Sequence, residues 1–161
     1  MKTTLDATRL IPLATAILGI FALAPSAFGE KTECKDAKGR LVDIYSGGAT
    51  TFGTITEGGW LDGTTLTVFP SAYVVTPNPS VVAYTGTLTI TTNHGQLKVG
   101  NVYLYNFVTG QGTVFGNVDP AGSTGIFAGA TGVIFLNLTA TTGSGPVDYH
   151  ETVSGQVCFA L

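Results

Sequence analysis

The polar residues best equipped for chemistry fall in one run, Val147-Asp148-Tyr149-His150-Glu151. Successive residues of a strand point to opposite faces. Val147, Tyr149, Glu151, Val153 and Val157 would therefore share one face, and Asp148, His150, Thr152 and Ser154 the other. If the apolar face turns inward, Glu151 is a carboxyl in an apolar enclosure beside the Tyr149 hydroxyl. Burial disfavours the charged form and raises a carboxyl's pKa, and a group displaced in that way serves as an acid or a base near neutral pH. Glu151 and Tyr149 are thus the catalytic candidates. The competing placement leaves Glu151 solvated near a strand end, or turns it outward through a bulge at Gly155.

Other candidates carry less. Asp148 and His150 share a face, but a Ser-His-Asp triad needs a nucleophile on a strained turn, and no Gly-x-Ser-x-Gly motif is present. His94, in Asn93-His94-Gly95, reads as an exposed turn residue. Two histidines without ligand spacing do not make a metal site, so neither metal nor cofactor is expected. Glu57 and Trp60 flank Gly58-Gly59 and either line a cavity mouth or belong to a loop with a half-buried tryptophan.

These side chains have to be positioned by strands. Thr85 to Thr91 alternates strictly, with Tyr84, Leu88 and Ile90 on one face and threonines on the other. Asn93-His94-Gly95 then makes a hairpin turn. Further strands are expected over Gln96–Phe107, Thr109–Val118, Val133–Thr142 and Val147–Phe159. Fainter ones fall near Leu41–Tyr45, Thr51–Glu57, Thr64–Phe69 and Ala72–Val75, punctuated by Gly-Gly pairs, Asp62-Gly63 and prolines. Many short strands with tight turns and no helical stripe predict a closed antiparallel barrel or a sandwich. Several strands are apolar on both faces: Val102 and Leu104 oppose Tyr103, Tyr105 and Phe107, and Ile134, Leu136 and Leu138 oppose Val133 and Phe135. One face fills the interior; the other would meet a second subunit, a lipid or a covering segment. An outer-membrane barrel has a similar pattern, but the charge-poor strands here are few and the turns long.

Composition narrows the class. The chain has 161 residues, 44% of them apolar and 11% charged, with a net charge of −3. An ordinary soluble domain carries roughly 25% charged residues. Without a basic excess a nucleic-acid partner is not expected, and abundant β-branched residues argue against disorder. Lys2 and Arg9 precede the uncharged run Leu10–Ala24, and Ala27-Phe28-Gly29 is a cleavage pattern, so residues 1–29 read as a secretory signal peptide cut before Glu30. A run of about fifteen residues is short of the roughly twenty needed to span a membrane. The product is expected to be secreted or periplasmic, with no membrane span after cleavage. Alternating charges crowd residues 30–43, which reads as a solvated N-terminal arm ahead of a barrel domain over 44–161. Cys34 and Cys158 are an even pair in an exported chain, without C-x-x-C spacing, and are expected to form a disulfide. It would close a loop of about 125 residues, worth roughly 4–5 kcal/mol in the chain-entropy picture, and would bring the two ends of the domain together.

The second half also carries a recognisable text. It runs from Tyr84-Thr-Gly-Thr-Leu-Thr-Ile-Thr-Thr through Gly110-Gln-Gly-Thr and Ser123-Thr-Gly-Ile-Phe-Ala-Gly-Ala-Thr-Gly132 to Gly155-Gln-Val-Cys158. The phrase T-G-x-F-x-G-A-T-G before a strand resembles the barrel shared by allene oxide cyclases and plant dirigent proteins, and more closely that of secreted bacterial proteins with an allene-oxide-cyclase-like barrel. The resemblance covers roughly residues 83–158. It implies an eight-stranded antiparallel barrel with an apolar cavity, often trimeric, that confines a reactive fatty-acid epoxide or phenoxy radical. Neither family's functional residues map onto matching positions here. The phrase itself reads as architectural: Gly125, Gly129 and Gly132 permit left-handed or close-packed backbone, and Phe127 can plug the barrel end. A phosphate-binding loop would need a following helix and a lysine.

The sequence therefore points to an exported, disulfide-tied, all-β barrel that binds a small apolar molecule or acts as a surface or matrix component without catalysis. The alternative is cyclase- or dirigent-like steering of an oxidised lipid or phenolic, and a homo-oligomer, a trimer by resemblance, is expected.

Overall fold

A computed structural model of the chain describes residues 32–45, 47–70, 73–141 and 147–160. The expected signal peptide and its cleavage before Glu30 lie outside the described residues. The strands are β1 (Thr32–Tyr45), β2 (Thr50–Thr56), β3 (Gly63–Val68), β4 (Val74–Val75), β5 (Val81–Thr92), β6 (Gly95–Asn106), β7 (Gln111–Val118), β8 (Thr131–Ala140) and β9 (Val147–Ala160). Neighbours are antiparallel in the order β3-β2-β1-β9-β8-β7-β6-β5-β4, and β3 also pairs with β5. That pairing closes an all-β, eight-stranded antiparallel barrel, with β4 as an additional strand.

β3 and β4 pair with different stretches of β5: Thr64–Val68 face Thr91–Thr87, and Val74 and Val75 face Ala83 and Val82. They behave as one strand interrupted at Phe69-Pro70, where proline lacks the N–H a ladder needs. The Phe69 ring packs edge-on against Tyr84 and Tyr103, each at 5.3 Å.

The charged stretch over 30–43 requires a correction. Its described part is not an arm ahead of the domain but most of β1, paired with β9 from Thr32 opposite Ala160 to Tyr45 opposite Val147. The backbone ladder is indifferent to what the outer face carries, so Lys38 and Arg40 stand in solvent while Ala37, Leu41 and Asp43 point inward, and Glu33 and Lys35 are exposed at the strand's start. The exposed pairs Lys35–Glu33 at 3.5 Å and Arg40–Glu57 at 3.0 Å contribute little to stability. The first and last strands are joined by the Cys34–Cys158 disulfide, with Sγ–Sγ 2.03 Å.

The interior changes character along the barrel axis. One end is apolar and closed. Leu41, Ile55, Leu88, Ile90, Leu97, Val99 and Val157 fill it, and two 3-10 turns, Gly59–Leu61 and Gly125–Phe127, bring Leu61 and Phe127 to full burial. Trp60, Phe127 and Phe159 pack together there, with ring centres 5.5–6.1 Å apart. The second turn is clamped to the β5–β6 hairpin by Ile126 N–H donating to the His94 carbonyl at 3.1 Å and Thr124 N–H to the Gln96 carbonyl at 2.8 Å. A side chain at Gly125 would run into the His94 carbonyl, and its φ of 64° also favours glycine. Gly129 and Gly132 have positive φ as well, and Phe127 occupies the barrel end.

The other end is polar inside and apolar outside. Asp43, Thr51, Thr65 and Thr67 are buried on β1–β3, whereas Val42, Ile44, Phe52, Leu66 and Val68 on the same strands are exposed. Ile44, Phe52 and Leu66 form one row across the outer wall. A second outer row, Val102, Phe115 and Phe135, crosses β6–β8. Among the described residues no helix is long and apolar enough to cross a membrane.

Candidate functional site

The polar end of the barrel contains a cavity of about 240 Å³, open on one side. Its lining comes from strands that are far apart in sequence. β1 contributes Asp43 and Tyr45, β2 Thr51, β3 Thr67, β5 Val82 and Tyr84, β6 Tyr103, β8 Leu136 and Leu138, and β9 Tyr149 and Glu151. Phe69 and Tyr73 enter from the break between β3 and β4.

Glu151 owes its position to register. β9 pairs with β1 and with β8 without interruption through Gly155, so no bulge turns Glu151 outward. Gly155 serves instead for close approach: a side chain there would strike the Val133 carbonyl. Glu151 lies between Leu41 and Leu138, only 7% exposed, and its Oε2 is buried with no hydrogen-bond partner among the described residues. Loss of water raises the carboxyl's pKa from the ordinary 4.5 to about 8, with a further push from the negative Asp43. The carboxyl is therefore largely protonated at neutral pH, and it has a proton to donate.

Asp43 is buried in a different way. Thr65 Oγ1 donates to Oδ1 at 2.6 Å, Thr51 Oγ1 to Oδ2 at 2.8 Å, and Thr67 Oγ1 to Oδ2 at 3.5 Å. Three hydroxyls from β2 and β3 thus replace the water a carboxylate loses on burial. Gly53, opposite Asp43 in the ladder, leaves the space: a Cβ there would collide with Asp43 Oδ1 and the Val42 carbonyl.

The walls are aromatic. Tyr84 and Tyr103 stack face to face at 4.8 Å, with Phe69 edge-on to both, while Tyr105 meets Tyr149 edge-on at 6.0 Å. Gly86 makes room beneath Phe69 and Tyr103. Asn101 Nδ2 donates to the Tyr103 hydroxyl at 2.9 Å, and Gly116 accommodates the Asn101 amide. Burial raises the hydroxyls of Tyr84, Tyr103 and Tyr105, and takes Tyr149 to about 12, so all four are neutral donors at physiological pH.

Glu151 and Tyr149 therefore share the cavity wall, two residues apart on β9. His150 points outward into a shallow groove with Asn137, Thr139 and Thr152, outside the barrel. His94 is exposed in its turn. Glu57 and Trp60 do not reach the cavity. Glu57 pairs with Arg40 in solvent, and Trp60 closes the far end, its Nε1 donating to the Asp36 carbonyl at 3.2 Å. Among the described residues no group of three or more His, Cys, Asp or Glu side chains is placed to hold a metal ion. The residues absent from the sequence reading of the site are Asp43, its three threonines, Phe69 and the Tyr84–Tyr103 stack. The available signal was parity: Leu41 and Asp43 share a strand face, as do Thr65 and Thr67.

Comparison with protein-family models, curated proteins and solved structures finds no match. The site therefore has to be understood from its own chemistry. It is a small space, open on one side, with an apolar and aromatic wall, one hydroxyl-solvated carboxyl and one unsolvated carboxyl. Pockets that fix a ligand's orientation combine these same elements, a mainly apolar lining with a few convergent polar groups. At about 240 Å³ the space suits a molecule of about one ring, below the roughly 300–1,000 Å³ of drug-sized pockets.

Proposed function

We propose that this protein binds a small, mainly apolar molecule in the open end of its barrel and does not transform it. The observation that carries the reading is Glu151 Oε2, a buried polar atom without a partner in an aromatic cavity. A protein that left such an atom unmet would forgo about 1–3 kcal/mol, and a ligand with one polar group among apolar ones supplies the missing bond. The setting we propose is outside the cytoplasm, which the Cys34–Cys158 bridge favours. The two exposed apolar rows, Ile44-Phe52-Leu66 and Val102-Phe115-Phe135, favour association with further copies, and the likeness of the Gly125–Gly132 phrase to cyclase and dirigent barrels suggests a trimer. Native mass spectrometry of the protein purified from its own host tests both points. A reproducible small-molecule adduct that disappears in Leu138→Trp supports the reading, and a clean polypeptide mass in every oligomeric state overturns it.

A second reading has an observation of its own. Glu151 holds a proton near neutral pH beside the neutral Tyr149 hydroxyl, which equips the pair for general-acid steering of an oxidised lipid or phenolic, in the manner of the barrels it resembles. Turnover that is lost in Glu151→Gln or Tyr149→Phe with binding retained would establish this reading in place of the first.

A further inference from the structure

The charges in the cavity are one-sided. Asp43 and Glu151 bring two carboxyls to its wall, and no lysine, arginine or histidine lies among the lining residues. The basic side chains of the described chain lie elsewhere: Lys38 and Arg40 stand outward on β1, Lys98 outward on β6, and Lys35 lies over the Phe159 ring at the closed end of the barrel. The hydroxyls around Asp43 satisfy its oxygens without supplying an opposite charge. Glu151 Oε2 has no donor among the described residues. Six aromatic side chains, of Tyr45, Phe69, Tyr73, Tyr84, Tyr103 and Tyr149, line the wall, and aromatic faces carry negative partial charge that attracts an ammonium group within about 6 Å.

We propose that the cavity takes a small organic ammonium ion, with an N–H donating to the Glu151 carboxyl and the hydrocarbon part lying among Phe69, Tyr84, Tyr103 and Tyr149. The proposal rests on the cavity being a ligand site and names the class of ligand. A neutral apolar molecule would leave Oε2 unpaired and Asp43 uncompensated. A bare metal ion would find no group of three ligating side chains among the described residues. A single-ring ammonium matches the volume, the aromatic wall and the two carboxyls together.

The groups facing Glu151 make the expected pH dependence simple. Asp43 approaches from β1, Tyr84 from β5, Tyr103 from β6, and Tyr149 from its own strand, while β8 presents Leu136 and Leu138. The tyrosines stay neutral below pH 9, because burial raises them. Free protein holds the Glu151 proton up to about pH 8, whereas the complex holds an ionised carboxylate. Binding therefore releases a proton, and affinity rises by close to tenfold per pH unit on the acid side of that value.

The test is calorimetric titration of the disulfide-bonded protein with benzylamine and with its neutral counterpart, benzyl alcohol. The expected result at about pH 7 is at least a tenfold preference for benzylamine, a further gain of nearly tenfold between about pH 6 and 7, and buffer-dependent heat from the released proton. Glu151→Gln should reduce the preference to about twofold or less. The comparison of the two ligands on the unaltered protein stands even if that variant folds poorly. Equal or tighter binding of benzyl alcohol overturns the charge preference while leaving the cavity a ligand site. No binding of either compound at millimolar concentration overturns both readings.

Discussion

Replacing Glu151 by glutamine keeps the shape of the side chain and removes its titration. In the native protein the carboxyl sits near 8, raised by burial and by Asp43; in the unfolded chain it returns to 4.5. The folded state thus holds this proton more tightly than the unfolded state. Its contribution to stability is fully present below pH 4.5 and is lost as the pH rises through about 8, the reverse of an ion-paired carboxylate. Each pH unit in that window is worth about 1.4 kcal/mol, so the full loss is about 5 kcal/mol, of which about 4 kcal/mol falls between about pH 5 and 9. The assay is urea unfolding of the wild type and Glu151→Gln across that range. Trp60, the single tryptophan, reports from the far end of the barrel, where it packs on Phe127 and Phe159. Other titrating groups are common to the two proteins and cancel. Relative to wild type, the variant should gain about 4 kcal/mol from the acid to the alkaline end. Stability curves that stay parallel within about 1 kcal/mol would refute a buried, unsolvated Glu151.

Three further outcomes are expected. Thr65→Val removes the 2.6 Å donor from Asp43 and should cost about 2–3 kcal/mol by urea unfolding, with the barrel still closed by circular dichroism. Phe127→Ala hollows out the fully buried barrel end and should cost about 3–5 kcal/mol, together with a change in Trp60 emission. Replacing Cys34 and Cys158 together by serine should cost about 3–5 kcal/mol in thermal unfolding, because the unfolded chain regains the freedom of a 124-residue separation.

The barrel was legible where inward and outward residues differ in polarity. Tyr84, Leu88 and Ile90 alternate against threonines, and β5 runs through them as the pattern requires. β9 holds Tyr149 and Glu151 on its inner face, in line with Val153 and Val157. The pattern fails on β1–β3 for a physical reason. There the hydrophobic side chains Val42, Ile44, Phe52 and Leu66 are outside, and Asp43, Thr51 and Thr65 are inside. Hydropathy alone assigns such strands the wrong way round. Charge patterning alone therefore groups Asp43 with the exposed charges that precede it, although Leu41 two residues earlier marks its face as interior. The carboxyl's partners come from strands 8 to 24 residues further on, and short polar residues there give no local sign of what they will surround.

The pairing of β1 with β9 also sets the order in which the molecule can be completed. β1 and β9 each need the other for an entire edge, yet the two half-cystines are 124 residues apart. Until β9 is in place, the strands from β1 to β8 can make only an open, curling sheet with β1 and β8 as raw edges. Loop-closure entropy makes so distant a contact slow to form, and unpaired edges invite pairing with other chains. The cavity wall shares this dependence, because Asp43 and Glu151 lie on the two strands that meet last. The cavity wall and the closed barrel are therefore completed by the same pairing, which the disulfide locks.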